Sequence, residues 1–248
     1  MILRAVVEND PASAADGRPA FIFDLDGTLV DSVYQHVLAW REALEETGWE
    51  LAVWRIHRRI GMSGGLIADA LSRETGHQVT PEQAARLQQR HVDAFARQSA
   101  QVRPLPGARD LLKHLSAIGV PWAIATSGRM ATAESAIRML DVPHDAVIVT
   151  RDQVRYAKPN PDLFLAAAER LRVDITEAVV VGDSVWDLLA ARRARGLGVG
   201  LLSGGYGEDE LEAAGAFRVY QDPADLLHHL HEIGVRAGRA AARSTRRR

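Results

Sequence analysis

Apolar residues along this chain follow two different rhythms. Residues 20–24 form a short unbroken apolar run ending in Asp24, the pattern of a strand buried on both faces. From Val33 the spacing becomes helical, with Val33, Val37, Trp40 and Leu44 three or four apart and Gly48 as a stop. Ile67, Ala70 and Leu71 mark a second helix. Thr80-Pro81-Glu82-Gln83 starts a third, with Thr80 as N-cap, proline in the first turn and Gln83 closing a capping box, and it runs to about Gln98. The sequence predicts no strand between residues 32 and 102.

After Pro104-Leu105-Pro106-Gly107 the pattern alternates. Strands are expected at Trp122 to Thr126, Ala146 to Thr150, Ala178 to Val181, Leu197 to Leu202 and Phe217 to Tyr220. Helices are expected over 108–118, 130–140, from about Pro161, after Asp183 to Arg195, and over 223–233. Strands separated by helices predict an α/β fold with a doubly wound, mainly parallel sheet. The expected organisation is a lead over 1–18, a core domain from 19–31 and 103–235, a helical insertion over 32–102, and an arginine-rich tail over 236–248 read as a solvated, disordered end.

Composition narrows the function. A net charge of -2 gives no general attraction to nucleic acid. No apolar run approaches the roughly 18 residues of a membrane helix. The chain has no cysteine, which removes disulfides, thiolate metal sites and cysteine nucleophiles and fits a reducing compartment. A cytoplasmic protein is expected, without nucleic-acid or membrane partners, as a monomer with a homodimer as the alternative. Among its 30 basic residues only Lys113 and Lys158 are lysines, so a lysine marks a place that needs a compact charge.

Phe21-Ile22-Phe23-Asp24-Leu25-Asp26-Gly27-Thr28-Leu29-Val30-Asp31-Ser32 puts two carboxylates at a strand's end, the rim where open α/β sheets bind ligands. One can be a nucleophile or metal ligand and the other a proton carrier. The string resembles motif I of the haloacid dehalogenase-like superfamily, mostly magnesium-dependent phosphatases and phosphotransferases. Three companions follow in the family's order. Ile124-Ala125-Thr126-Ser127-Gly128 is similar to motif II, where a hydroxyl and the amides of Ser127 and Gly128 at a helix start can take a phosphoryl oxygen. Lys158-Pro159-Asn160-Pro161-Asp162 is similar to motif III, and Gly182-Asp183-Ser184-Val185-Trp186-Asp187 to motif IV.

The resemblance implies a core fold with an inserted C1 cap that closes over the site, and a small phosphorylated metabolite as substrate. It implies Asp24 as nucleophile and Asp26 as proton donor and acceptor. Mg2+ would be held by the side chains of Asp24 and Asp183 and the backbone carbonyl of Asp26, with Asp187 around that shell, and Thr126 and Lys158 would meet the phosphoryl oxygens. Lys158 is expected across the site from the metal. A dication is needed because crowded carboxylates and a phosphate repel one another.

The superfamily's dehalogenases carry a single aspartate in motif I, so Asp26 favours phosphate esters. The first cap helix is similar to that of β-phosphoglucomutases. Those enzymes, however, place an arginine where this chain has Gly64 and a glutamate where it has Gly182, which favours the phosphoglycolate phosphatase-like group over a mutase. A binding protein that has lost catalysis is a third reading, opposed by the complete residue set.

Gly61-Met62-Ser63-Gly64-Gly65 is similar to the family's cap loop facing the site, with a flexible helix–helix turn as the alternative. His36 is read as a half-buried packing residue, with the cleft as the alternative. His228, His229 and His231 are read as the polar side of an amphipathic helix rather than a metal site, and Gly204-Gly205-Tyr206-Gly207 as a loop after the fifth strand. Trp40, Trp49, Trp54, Trp122 and Trp186 are read as core and interface residues.

Overall fold

A computed structural model describes residues 18–76 and 79–235. The lead through Gly17 and the tail from Arg236 lie outside the described residues. The first strand, β1 (Ala20–Phe23), is wholly buried and forms the middle of a six-stranded parallel sheet. Beside it lie β4 (Trp122–Ala125) and β6 (Ala178–Gly182), paired Phe21↔Trp122 and Phe21↔Val179. Outward from these come β5 (Val147–Val149) on one side, and β7 (Leu197–Leu201) and β8 (Arg218–Tyr220) on the other, in the order β5-β4-β1-β6-β7-β8. The chain first builds outward from β1 in one direction and then returns to build in the other. That reversal opens a crevice at the carboxyl ends of β1 and β6, and Asp24 and Asp183 follow those two ends.

Successive strand residues point to opposite faces, and each face finds its own helices. Phe21 and Phe23 pack with Leu111, Leu112 and Leu115 of α5 (Ala108–Ala117), Ala136 and Ile137 of α6 (Met130–Met139), and Leu226 of α10 (Pro223–His228). Ala20 and Ile22 pack with Leu163, Phe164 and Ala167 of α7 (Asp162–Leu171) and Ala190 and Ala191 of α8 (Val185–Ala194). The short α9 (Glu208–Ala214) completes the layer over β7.

Between Val33 and Gln101 the described residues are helices and turns: α1 (Val33–Glu45), α2 (Val53–His57), α3 (Gly64–Thr75) and α4 (Pro81–Gln98). They enclose a core of their own, including Val37, Trp40, Leu44, Ile56, Ile67 and Leu87. The start of α4 is as expected: Thr80 Oγ1 accepts from the Gln83 amide, and the Gln83 side chain accepts from the Thr80 amide. The insertion leaves and re-enters the core through a two-stranded antiparallel neck, β2 (Val30–Asp31) and β3 (Arg103–Pro104), paired Val30↔Pro104 and Asp31↔Arg103.

Two features were not foreseen in the sequence, and two expectations are corrected. The neck strands have two residues each, too short to leave a periodic signal. α2, with only five residues, was not expected either. The final helix does not run through 233: α10 ends at His228, and a 3-10 turn carries Leu230 to Ile233 into the core. Trp54 is 63% exposed rather than packed. Removing the ring that fills the centre of one face tests the architecture: Phe21→Ala should lower the unfolding free energy by about 3–5 kcal/mol in urea denaturation.

Candidate active site

The rim of the sheet gathers charge that the interior would ordinarily exclude. Asp24, Asp183 and Asp187 are buried, and one carboxylate oxygen of each lies within 4.8 Å of the others. Lys158, fully buried, reaches them from the loop before α7. Its Nζ is ion-paired with Asp24 Oδ1 and lies 2.7 Å from Asp187 Oδ1. Lys158 therefore sits within the carboxylate group, paired with both Asp24 and Asp187. Its aliphatic stem ends over Phe164, with Nζ 5.4 Å from the ring centre.

Each carboxylate is held by its own turn. Asp183 Oδ1 accepts from the Thr28 hydroxyl at 2.9 Å. Asp187 Oδ2 accepts from the Ser184 hydroxyl at 2.5 Å and from the Ser184 amide at 3.2 Å, which makes it the closing residue of the capping box at the start of α8. Backbone fits closely around these groups. A Cβ on Gly204 would collide with the Asp183 carboxylate, one on Gly182 with Asp187, and one on Gly27 with Asp183. Gly27 also turns at φ +82°, which carries the chain back so that its amide donates to Val30 O. The loop Gly204-Gly205-Tyr206-Gly207 does follow the fifth strand of the sheet, and in addition it forms a wall of the site.

Asp26 belongs to a different environment. Its Oδ1 accepts from the Ser32 hydroxyl at 2.6 Å and lies 3.3 Å from Nε2 of His36 on α1. The His36 ring therefore reaches Asp26 from the insertion, in addition to stacking on Phe95. Thr126 and Gly128 lie beside Asp26: a Cβ at Gly128 would lie 3.2 Å from Thr126 Oγ1 and 4.0 Å from Asp26 Oδ2. Thr126 Oγ1 accepts from the Gly128 amide at 2.9 Å. The Ser127 hydroxyl is enclosed without a hydrogen-bond partner among the described residues. The Ser127 and Gly128 amides are not at a helix start as expected, because α6 begins only at Met130.

The insertion covers this rim. His57 Nε2 lies 2.8 Å from Gly204 O, and the ring stacks on Tyr34. Arg58 O accepts from Trp186 Nε1 at 3.0 Å and from the Tyr206 hydroxyl at 3.1 Å, and the Arg58 guanidinium pairs with Glu210 at 2.8 Å. In the segment expected to face the site, the close approach is made by Gly61, where a Cβ would come 2.8 Å from Ser184 Oγ. Gly64 and Gly65 open α3 instead of forming a loop. Thr28, Ser32, His57 and His91 were not singled out from sequence, and Gly204 and Tyr206 were read only as part of a loop. Thr28 and Ser32 stand inside the first motif, and Leu87, His91 and Phe95 form a period-four stripe with an imidazole in it. Gly204 stood in a glycine-rich stretch whose place against Asp183 the sequence does not show.

Burial and charge decide the protonation states. Desolvation pushes Asp24 up to about 7, against the pull of Lys158 and with help from Asp187 and Asp26. Desolvation, Asp187 and Asp24 raise Asp183 well above the carboxylate range. For Lys158 desolvation acts downward, but Asp187 and Asp24 outweigh it and hold the ammonium charged. For Asp26 desolvation acts upward, yet His36 and Ser32 outweigh it and keep the pKa low. Three buried carboxylates converge their oxygens beside one ammonium, and ionising all three would leave an uncompensated negative charge. That donor set fits a hard divalent cation. The cluster does not include the carboxylate of Asp26.

A stability signature follows. The raised pKa values of Asp24 and Asp183 give a contribution that is full below the unfolded value near 3.8 and lost as pH rises through the folded value, about 7 for Asp24. The raised pKa of Lys158 and the lowered pKa of Asp26 change nothing between pH 5 and 8, because their transitions lie outside that window. A bound dication offsets the carboxylate repulsion. MgCl2 in place of EDTA should therefore raise the melting temperature more at pH 8 than at pH 5 in thermal-shift measurements. An equal rise at both would count against a cation at this cluster.

Known phosphatases and hydrolases resemble this chain in sequence and fold. Hexitol phosphatase A of Escherichia coli (strain K12) is 35% identical over 185 residues, covering 70% of this chain and 78% of its own. Phosphoglycolate phosphatase of Caulobacter vibrioides is 32% identical over 210 residues, covering 82% and 87%. The crystal structure of a hydrolase from Pseudomonas syringae is 56% identical and superposes with a TM-score of 0.86, covering 88% of this chain and 100% of that one. The family model of haloacid dehalogenase-like hydrolases matches residues 19–195, and with a central parallel sheet that carries its carboxylates on the rim, this chain belongs to that family.

Proposed function

We propose that this protein is a magnesium-dependent phosphatase that hydrolyses a small phosphomonoester through an aspartyl phosphate on Asp24. The observation that carries the reading is the buried cluster of Asp24, Asp183 and Asp187 around Lys158, with Asp26 held apart from it by Ser32 and His36. Nucleophile and proton carrier thus have different surroundings, as two carboxylates with two tasks require.

In the proposed reaction an Asp24 oxygen attacks phosphorus, and the bond from phosphorus to the ester oxygen breaks. Asp26 gives that oxygen its proton, so the leaving group departs as an alcohol. The incoming phosphate's negative charge raises the pKa of Asp26 and so favours the protonated form needed here. A water molecule then attacks the phosphorus of the aspartyl phosphate, Asp26 takes its proton, and inorganic phosphate leaves with Asp24 restored. Thr126 and Lys158 bind the phosphoryl oxygens and counter the charge that builds on them. Asp24, Asp183 and the Asp26 backbone carbonyl would hold Mg2+, with Asp187 orienting that shell. When bound, the ion supplies positive charge to the phosphoryl group and relieves the repulsion among the carboxylates.

Residues 32–102 act in this reading as a cap. Asp24 and Asp183 are 3% and 4% exposed with the insertion docked, so substrate must enter when the cap lifts, and bulk water is excluded when it closes. A mutase is the second reading. The crowding at Gly182 weighs against it, because a glutamate there cannot be placed without displacing Asp187.

A phosphate-release screen over sugar phosphates, phosphoglycolate and nucleotides with Mg2+ should give inorganic phosphate. Phosphoryl transfer between sugars without release would support the mutase instead. Asp24→Asn should fold normally by circular dichroism and lose at least about 99% of turnover, a barrier change of ~2.7 kcal/mol or more. A folded variant above that level would overturn the proposed nucleophile.

A further inference from the structure

We propose that His91, on α4, is a positioning residue: it fixes the ring of His36 so that one oxygen of Asp26 is left to carry the proton. The proposal rests on the phosphatase reading above. His36 Nδ1 lies 3.1 Å from His91 Nε2, while the opposite edge of the same ring meets Asp26 at 3.3 Å. One face of His36 stacks on Phe95 with ring centres 3.9 Å apart and planes 2° from parallel, and His91 in turn stacks on Trp40 at 4.2 Å. Both nitrogens of His36 are therefore engaged, and its ring is clamped between two helices.

Donor and acceptor roles follow in sequence. An ionised Asp26 only accepts, so His36 Nε2 donates to it. In a neutral His36 the bare Nδ1 can then only accept, and His91 Nε2 must donate. Burial, reinforced by the nearby His36, holds His91 well below the usual imidazole range, which keeps it neutral and suited to that single role. Remove the His91 donor and the other His36 tautomer competes, turning a lone pair toward the carboxylate.

The consequence reaches the chemistry through Asp26. Its Oδ1 is occupied by two donors, Ser32 Oγ and His36 Nε2. A proton bound for the leaving group must then ride on Oδ2, the oxygen on the side of Gly128 and Thr126. His91 thus selects which oxygen works through the ring of His36.

The experiment compares two esters by kcat/KM, which reports the steps through cleavage of the ester. p-Nitrophenyl phosphate releases a phenolate that needs little help from a proton; the most rapidly cleaved sugar phosphate of the screen releases an alkoxide that must be protonated. His91→Phe keeps the ring stack and removes both nitrogens. Its kcat/KM should fall at least about tenfold further for the sugar phosphate than for p-nitrophenyl phosphate. His91→Gln, whose amide can still donate, should recover part of that difference. In a His36→Ala background, His91→Phe should add no further discrimination. Equal losses on both esters, or a full additional loss without His36, would overturn the proposal.

Should His91→Phe fail to fold, 15N-resolved imidazole spectra of the wild-type protein decide instead. A protonated Nε2 and bare Nδ1 on His36 are expected, and the reverse would overturn it. Wild-type protein inert on both esters would remove the phosphatase reading and this proposal together. An inactive Asp24→Asn beside an unselective His91→Phe would remove this proposal alone.

Discussion

One ammonium group sealed among three carboxylates is the constraint around which the rest of this molecule is arranged. Lys158 is fully buried, and an ion so placed is tolerable only with partners at hand. Asp24 and Asp187 supply them. Yet a single positive charge cannot balance Asp24, Asp183 and Asp187 all ionised in a medium that screens charge poorly, and Asp24 and Asp183 answer by holding their protons to higher pH. The sheet below must be rigid enough to keep those groups together. β1 and β6, paired along their whole length and buried on both faces, provide that platform.

The same constraint explains the glycines and hydroxyls nearby. Gly27, Gly182 and Gly204 stand where any side chain would strike an essential carboxylate. Thr28, Ser32 and Ser184 each give a hydrogen bond to one carboxylate. Together they aim the oxygens without adding charge. Loop, strand end and helix start come from distant parts of the chain, and the order of strands brings them to one crevice.

Much of this was legible in the sequence, for physical reasons. An apolar run broken by an aspartate has few explanations other than a strand that ends at a functional rim, so β1, β6 and their carboxylates could be located. The lysine stood out against a background of arginine. What the sequence hid was whatever depends on distance across the fold. His36 was read mainly as packing because its helix offers no hint that Asp26 lies at its end. His91 sits in an apolar stripe with Leu87 and Phe95, where it looks like one more core residue. Gly204 lies 21 residues beyond Asp183 in the chain and matters only because β7 runs beside β6. The neck is invisible for a different reason: two residues cannot display a period.

That neck has a bearing on how such a chain could diversify. Because Val30 and Asp31 lie opposite Pro104 and Arg103, the insertion begins and ends at neighbouring points. To the sheet it is a loop with almost no span, and the entropy of closing a loop grows only as the logarithm of its length. Helices can therefore be lengthened, shortened or exchanged above the neck with little disturbance to the strands beneath it, leaving the reactive chemistry constant while the choice of molecule it meets is free to drift.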